Sequence, residues 1–422
     1  MENTKAYAKH LDEKDPLASF RHAFLIPEHN GISRTYFLGN SLGLQPRKTS
    51  AYIQRVLQQW QDEGVESFFK GENPWLNAHD ELLTTMAVIA GAEKEEITIM
   101  NQLTVNIHLM LVSFYRPVGS RRKILMEAKA FPSDQYAVRS YIQHLGMNPD
   151  EIIVEMESDQ LSQVLEQEKI IQSIQQIGDE LALVFMGGIN YYNGQLLPMK
   201  EITEAAHQAG ALVGFDLAHA MGNVSLSLHD WHVDFACWCS YKYLNGGPGA
   251  VAGAFIHKKH HGPDVTRLAG WWGYKRNERF LMENRFVPER DASSWQLSTP
   301  SILLYASLKA SLDIVHDADW EKMLAKQTLM KQWIQFLLDQ QEQNYFSCIT
   351  PDSRGCQISL LFPQNGKKVY DGLFDKGFMV DWREPNVIRF APVPLYNSYS
   401  EIWNFFEALK TLTKELSSHH TD

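Results

Sequence analysis

One lysine, Lys242, stands between two tyrosines and ahead of a glycine-rich turn in "SYKYLNGGPG" (240–249). A lysine there could be an ordinary surface charge, a phosphate contact, or an amine nucleophile that carries a cofactor. The nucleophile needs its ammonium deprotonated part of the time, which burial or neighbouring cations achieve. It also needs an aldehyde. Pyridoxal phosphate supplies one and makes three further demands. An acid must face the pyridine nitrogen, because the protonated ring is the electron sink. Backbone N–H groups at a helix N-terminus, with hydroxyls, must cradle the phosphate. An apolar or aromatic side chain must cover the ring.

Each demand has a candidate. Asp216 ends an apolar run in "GFDLAHA" (214–220). Thr104 in "NQLTVNIHLML" (101–111) stands where a helix cap and phosphate donor would sit. Phe131 in "AFPSDQYA" (130–137) could stack on the ring, and Asp134 and His219 add polar groups near the same place. Singly, each also reads as a cap, a turn or a surface residue. Their order carries more information: a helix-entry Thr, an aromatic after the next strand, an Asp ending a later strand, and a Lys after the one that follows.

The elements that must position these residues are legible as short apolar runs. "KILMEA" (123–128), "LALVFMG" (181–187), "ALVGFD" (211–216), "HVDFACWCS" (232–240) and "GAVAGAFIH" (249–257) read as buried strands. "LLPMKEITEAAHQAG" (196–210) reads as a helix, with Pro198 in its first turn and Gly210 past its end. Near-continuous apolar strands separated by helices predict an α/β fold with a mostly parallel sheet covered on both faces. In such sheets ligands sit at the carboxyl ends of the strands, which puts Asp216 and Lys242 on one rim. After about residue 305 the pattern changes to one long helical stretch (300–341), short strands at 355–362, 377–383 and 386–394, and an amphipathic closing helix (400–416). That predicts a smaller α+β domain. The expected division is 1–50 packing with the small domain, 51–305 as the large domain, and 306–422 as the small one.

Length and composition fit this picture. The 422 residues are 44% hydrophobic and 21% charged, an ordinary folded composition. A net charge of −11 argues against a nucleic-acid-binding role. Four cysteines (Cys237, Cys239, Cys348, Cys356) are too few for a disulfide framework, and packing is the expected role of the C-x-C pair. The polar opening stretch has no apolar signal core and no run is long enough to span a membrane, so the cytoplasm is the expected address.

The words around the candidate residues closely resemble the kynureninase family, pyridoxal-phosphate enzymes of fold type I. The matching segments are "YFLGNSLGLQP" (36–46), "LTVNIHLML" (103–111), "EAKAFPSDQYA" (127–137), the long block "GFDLAHAMGNVSLSLHDWHVDFACWCSYKYLNGGPGAVAGAFIH" (214–257) and "IRFAPVPLYNS" (388–398). They span most of the chain.

The resemblance implies a large domain built on a seven-stranded sheet, and hydrolytic cleavage of L-kynurenine to anthranilate and L-alanine. It implies that Lys242 holds the cofactor and shuttles the proton at the substrate α-carbon. Asp216 would pair with the pyridinium nitrogen. Phe131, Pro132, Ser133 and Asp134 would line the ring. Leu103 and Thr104 would help hold the phosphate, His219 would stand in the cofactor site, and Tyr241 would contact the phosphate and serve in acid–base steps. Trp271 and Thr299 match positions donated by a partner subunit, which implies a homodimer with shared active sites. Arg389 matches the residue that grips the substrate carboxylate, with Asn40, Ser41 and Phe68 as further substrate contacts. No metal is implied. Three positions depart from the family pattern. Gly187 stands where other members carry serine. Phe68 replaces a substrate-binding histidine of the animal enzymes, and Thr299 replaces their asparagine. The last two resemble the bacterial pattern, which favours kynurenine over its 3-hydroxy derivative. The rival expectations are another fold type I lyase, such as a cysteine desulfurase, and a non-catalytic member that keeps the fold.

Overall fold

The computed structural model describes residues 1–341 and 345–418. Seven strands form the main sheet: β1 (Ile97–Ile99), β2 (Lys123–Glu127), β3 (Ile153–Met156), β4 (Leu181–Gly187), β5 (Leu212–Asp216), β6 (Phe235–Trp238) and β7 (Gly253–Ile256). Their spatial order is β1-β7-β6-β5-β4-β2-β3. The pairs β2–β3, β2–β4, β4–β5 and β5–β6 are parallel, while β7 runs antiparallel to both of its neighbours. Six strands therefore point one way, and their carboxyl ends make one rim. This is the expected α/β sheet.

The strands are apolar at successive positions because both faces are covered. Val184 and Met186 of β4 join one core, with Met199, Ile202 and Ala206 of helix Met199–Gln208. Leu183 and Phe185 join the other, with Ile107, Met110, Val138 and Ile142 of helices Leu103–Phe114 and Pro132–His144. In chain order we call these helices α1 (Leu103–Phe114), α2 (Pro132–His144) and α3 (Met199–Gln208). Pro198 proves to be the N-cap of α3 rather than a residue of its first turn, and Gly210 turns the chain at φ +75° just beyond the C-cap.

The stretch read as one helix over 300–341 is two, α4 (Ile302–Ala318) and α5 (Trp320–Leu338). The break is Asp319, at φ +68°, whose carboxylate accepts from the Glu321 N–H at 3.0 Å and so starts a new helix. The boundary expected at 305/306 falls inside α4. Beyond α5, a four-stranded antiparallel sheet forms from β8 (Ser347–Cys348), β9 (Ile358–Leu361), β10 (Asp381–Arg383) and β11 (Val387–Phe390), in the order β8-β9-β11-β10. Helix α6 (Tyr399–Ser418) packs beneath it through Ile402, Phe405 and Phe406.

The N-terminal segment is tied to these C-terminal elements. Thr35–Tyr36 pairs in parallel with Phe378–Met379. Asp12 accepts from the Tyr399 N–H at 2.7 Å, and Asp15 meets Lys326 at 2.7 Å with both side chains buried. Among the described residues no helix is long and apolar enough to cross a membrane.

At the end of the sheet opposite the rim, buried Glu96 and His257 cluster with the half-buried His229. Glu96 accepts from the Lys258 and Glu93 N–H groups and pairs with His229 at 3.0 Å. His257 accepts from the Lys259 N–H through Nδ1. The two imidazoles lie nearly parallel, 5.2 Å apart. The cluster acts as a clasp between loops. Burial lowers the pKa of His257 to about 4, with Lys259, His229 and His232 adding to the effect and Glu96 opposing it. Because the folded value lies below the ordinary value near 6.5, neutral His257 supports the fold at pH 7, and the support is lost as pH falls from about 6.5 towards 4. The protein is therefore expected to lose on the order of 2–3 kcal/mol from this group across that window. Thermal unfolding at pH 7.5 and pH 5 checks it: His257→Gln, which keeps an acceptor for Lys259, should show the smaller drop in Tm.

Candidate active site

Four strand ends and one helix start meet at the rim. Glu127 closes β2, Gly187 closes β4 and Asp216 closes β5, with Asp216 in register with Gly187. Lys242 lies four residues past β6. Helix α1 begins just after β1. Together they line one cavity with Gln102, Leu103, Thr104, Phe131, Ser133, Asp134, His219 and Tyr241.

The Lys242 loop is held from two sides. Asn245 donates its N–H to the Lys242 carbonyl at 3.0 Å, and Gly247 turns the chain at φ +95°. From across, the Gly43 N–H donates to the Tyr241 carbonyl at 2.8 Å. A side chain at Gly43 would place its Cβ 2.3 Å from the Lys242 carbonyl oxygen, so this contact needs glycine. Lys242 Nζ lies 2.8 Å from His219 Nε2 and 6.0 Å from the centre of the Phe131 ring. Burial holds the His219 pKa well below its usual value, with the positive charge of Lys242 adding to the effect. A neutral His219 can accept a hydrogen bond from Nζ. Its Nδ1 has no partner.

Three buried carboxyl groups share the floor. Asp216 accepts from the Ala218 N–H at 2.7 Å. Burial raises its pKa, while Ala218, Lys242 and Asp134 pull it down. Asp134 is raised well above its usual value by burial and then by Asp216. Glu127 is raised to about 8, by burial and then by Asp216. Three anions cannot crowd one floor beside one lysine, so the ionised member is Asp216, the one with the charge-stabilising partners. The Tyr241 phenol is also raised by burial and stays protonated.

Thr104 is not the helix cap. It lies in the first turn of α1, behind Gln102 as N-cap, and its hydroxyl bonds Ser133 Oγ at 2.6 Å. No side chain caps that helix start. The pair of hydroxyls and the uncapped turn face the cavity as an anion cradle. Pro132 opens α2 at its first position. Phe131 is exposed, lines the cavity and meets Tyr191 edge-on at 5.2 Å.

The remaining predicted residues lie outside this cavity. Arg389 is fully buried on β11, where Nε donates to Asp381 Oδ2 at 2.6 Å and Nη1 donates to the Tyr191 carbonyl. Asn40 donates to Gln357 Oε1 at 3.1 Å, and Gln357 donates to the Tyr191 carbonyl at 3.0 Å. Tyr191 therefore links Arg389 and Asn40 to the cavity wall. Ser41 is exposed. Phe68 packs edge-on against Trp75 at 5.1 Å and Trp272 at 6.4 Å. Trp271 is 44% exposed, and Thr299 lines a separate hollow beside Asn101 and Gln102. One chain does not bring Phe68, Trp271 and Thr299 to Lys242. Sequence reasoning missed Glu127, Tyr191, Gln357 and Asp381. A charged residue at the end of an otherwise apolar strand, as in "KILME", was the available signal for Glu127.

Residues 321–409 match the family model of the kynureninase C-terminal domain. The kynureninase of Flavobacterium psychrophilum is 44% identical over 416 residues, covering 97% of this chain and 98% of that protein. The kynureninases of Koribacter versatilis (43% over 411 residues, 96% and 97%) and Xanthomonas campestris (44% over 414 residues, 97% and 98%) are equally similar. Among solved structures, a C-DES mutant with glycine covalently linked to its PLP cofactor superposes with a TM-score of 0.74 at 17% identity, covering 89% of this chain and 96% of that one. The cysteine desulfurase of Thermococcus onnurineus gives 0.74 at 16% identity, covering 90% and 95%. These two likenesses establish the fold, fold type I.

Proposed function

This chain belongs to the kynureninase family, and from that premise we propose that it uses pyridoxal phosphate to cleave L-kynurenine with water into anthranilate and L-alanine. One observation carries the reading. Lys242, an ionised Asp216 and an uncapped helix start share a cavity in which buried polar atoms, His219 Nδ1 and Asp134 Oδ1 among them, have no partner. Such atoms are costly unless a bound group satisfies them, and these fit this cofactor. Asp216 would hold its ring nitrogen, Thr104, Ser133 and the α1 N-terminus its phosphate, Lys242 its aldehyde carbon, and Phe131 its face.

When bound, the cofactor supplies the electron sink that makes the substrate α-proton removable and the Cβ–Cγ bond breakable. The protein's groups do the rest. Lys242 Nζ takes the α-proton, with neutral His219 accepting from Nζ and fixing its direction. Arg389 would bind the substrate carboxylate by exchanging its bond to the Tyr191 carbonyl for the substrate, while Asp381 keeps hold of its Nε side and sets its plane. Tyr241, protonated at rest, can donate its phenolic proton during cleavage and take one back afterwards. Phe131 shields the reacting face from water.

The exposed apolar group of Trp271, Phe280, Leu281 and Phe69, with Phe69 and Phe280 in ring contact at 5.5 Å, supports a homodimer. In it Trp271 and Thr299 would complete the partner's site. The address proposed is the cytoplasm.

The desulfurase reading needs an accessible, low-pKa thiol. Burial instead raises all four thiols: Cys237, Cys239, Cys348 and Cys356, the last to about 12.

Phe68, which the family resemblance assigns to the substrate, would offer no hydrogen-bond partner to a ring hydroxyl, so 3-hydroxykynurenine is expected to be the poorer substrate, by about tenfold or more in kcat/KM. Parallel steady-state assays of the two compounds check this. The test of the whole reading is anthranilate fluorescence on mixing the protein, pyridoxal phosphate and L-kynurenine. Cofactor uptake without anthranilate would leave the fold right and the substrate wrong.

A further inference from the structure

We propose that Glu127 is a positioning residue for the bound cofactor, a neutral carboxylic acid that closes the pocket floor beside Asp216 and offers its O–H at the notch beside Gly187. This rests on the cofactor reading above.

Three observations carry it. Glu127 is 3% exposed yet lines the cavity, and its Oε2 has no hydrogen-bond partner. A buried carboxyl oxygen without a partner at a cavity wall is poised for a ligand. Gly187 stands between the Glu127 and Asp216 strand ends. A Cβ there would lie 3.1 Å from Glu127 Oε1, so glycine leaves the notch open towards the acid. The charges around Glu127 settle its protonation state. Asp216, Asp134 and the Tyr191 phenol face it, and no cation pairs with it among the described residues. Lys242 acts on Asp216 and Asp134, and Arg389 and Arg383 are engaged by Asp381. One negative charge, on Asp216, matches one cationic ring nitrogen. A second anion next to it has no counterpart. The upward shift of Glu127 to about 8, from burial and from Asp216, agrees with that count. A bound ring would dry the floor further and favour the neutral acid more strongly. Ionisation of Glu127 in the empty pocket therefore opposes binding above pH 8.

The experiment is titration of the apoprotein with pyridoxal phosphate, followed by visible absorbance from pH 6.5 to 9.5, for wild type, Glu127→Gln and Glu127→Ala. Unfolding midpoints of the three apoproteins are measured alongside. Glu127→Gln keeps a donor and cannot ionise. It is expected to bind within about threefold of wild type at pH 7 and to lack an alkaline weakening of about fivefold or more that wild type shows. Glu127→Ala is expected to bind about tenfold more weakly at every pH. Identical pH profiles for wild type and Glu127→Gln would overturn the inference alone, as would Glu127→Gln binding as poorly as Glu127→Ala while both remain folded. No cofactor uptake by the wild type would overturn the cofactor reading and this inference together.

Discussion

Lys242→Ala is expected to lower anthranilate formation by about 10³-fold or more, with the fold intact and the cofactor still retained. The side chain belongs to a half-buried loop rather than a core. Its loop is held by the backbone bonds from Asn245 and Gly43, which the substitution leaves in place. The change therefore removes chemistry without removing structure. What disappears is the single amine in the cavity, 2.8 Å from His219. His219 cannot replace it, because burial keeps the imidazole neutral and only weakly basic. Tyr241 cannot either, since its phenol stays protonated. Lys242→Arg should fare no better, because a guanidinium holds its proton at any working pH. A small primary amine added to Lys242→Ala should restore part of the rate, which a folding defect would not allow. Turnover of Lys242→Ala within tenfold of wild type would move the proton transfer to another group and sink the assignment.

Much of this site is readable from the chain because its residues sit next to strong local signals. Asp216 ends a run of buried residues, and Lys242 precedes a turn that favours glycine and asparagine, with Asn245 at φ +50° and Gly247 at φ +95°. Strand and helix periods then place both on one rim. Thr104 shows where that reasoning weakens. A threonine at a helix entry reads as a cap, yet α1 is capped at Gln102, two residues earlier than a Thr104 cap would require, and the hydroxyl turns to Ser133 instead. Helix starts shift by one or two residues at little local cost, so the tertiary contact decides. The double helix α4–α5 was hidden for a similar reason. Asp319 carries no glycine or proline signal, and its positive φ is supported by the cap it forms. Asp381, Gln357 and Tyr191 were out of reach altogether. They matter through Arg389 and Asn40, across 8, 317 and 198 positions of sequence. No periodicity reports a contact of that range.

Asp216→Asn is expected to cut kcat/KM by about 10²–10³-fold while unfolding the protein little. The amide has nearly the shape of the carboxylate, and its oxygen can still accept from the Ala218 N–H, now 2.7 Å away. What it cannot do is hold a proton on a ring nitrogen opposite it, because it carries no charge. The consequence reaches the rest of the floor. Asp216 contributes to the raised pKa of both Asp134 and Glu127. Without its charge both should ionise more readily, so the negative charge moves away from the position that faces the ring. Visible absorbance of the bound cofactor should then titrate at lower pH than in wild type, and steady-state assays should show the loss in kcat rather than in KM. A variant that binds the cofactor, keeps the wild-type titration and loses less than tenfold in kcat would show that the ring nitrogen faces some other group. The nearest acids, Asp134 and Glu127, would be substituted next, and the one whose removal abolishes the protonated-ring signal would be its partner.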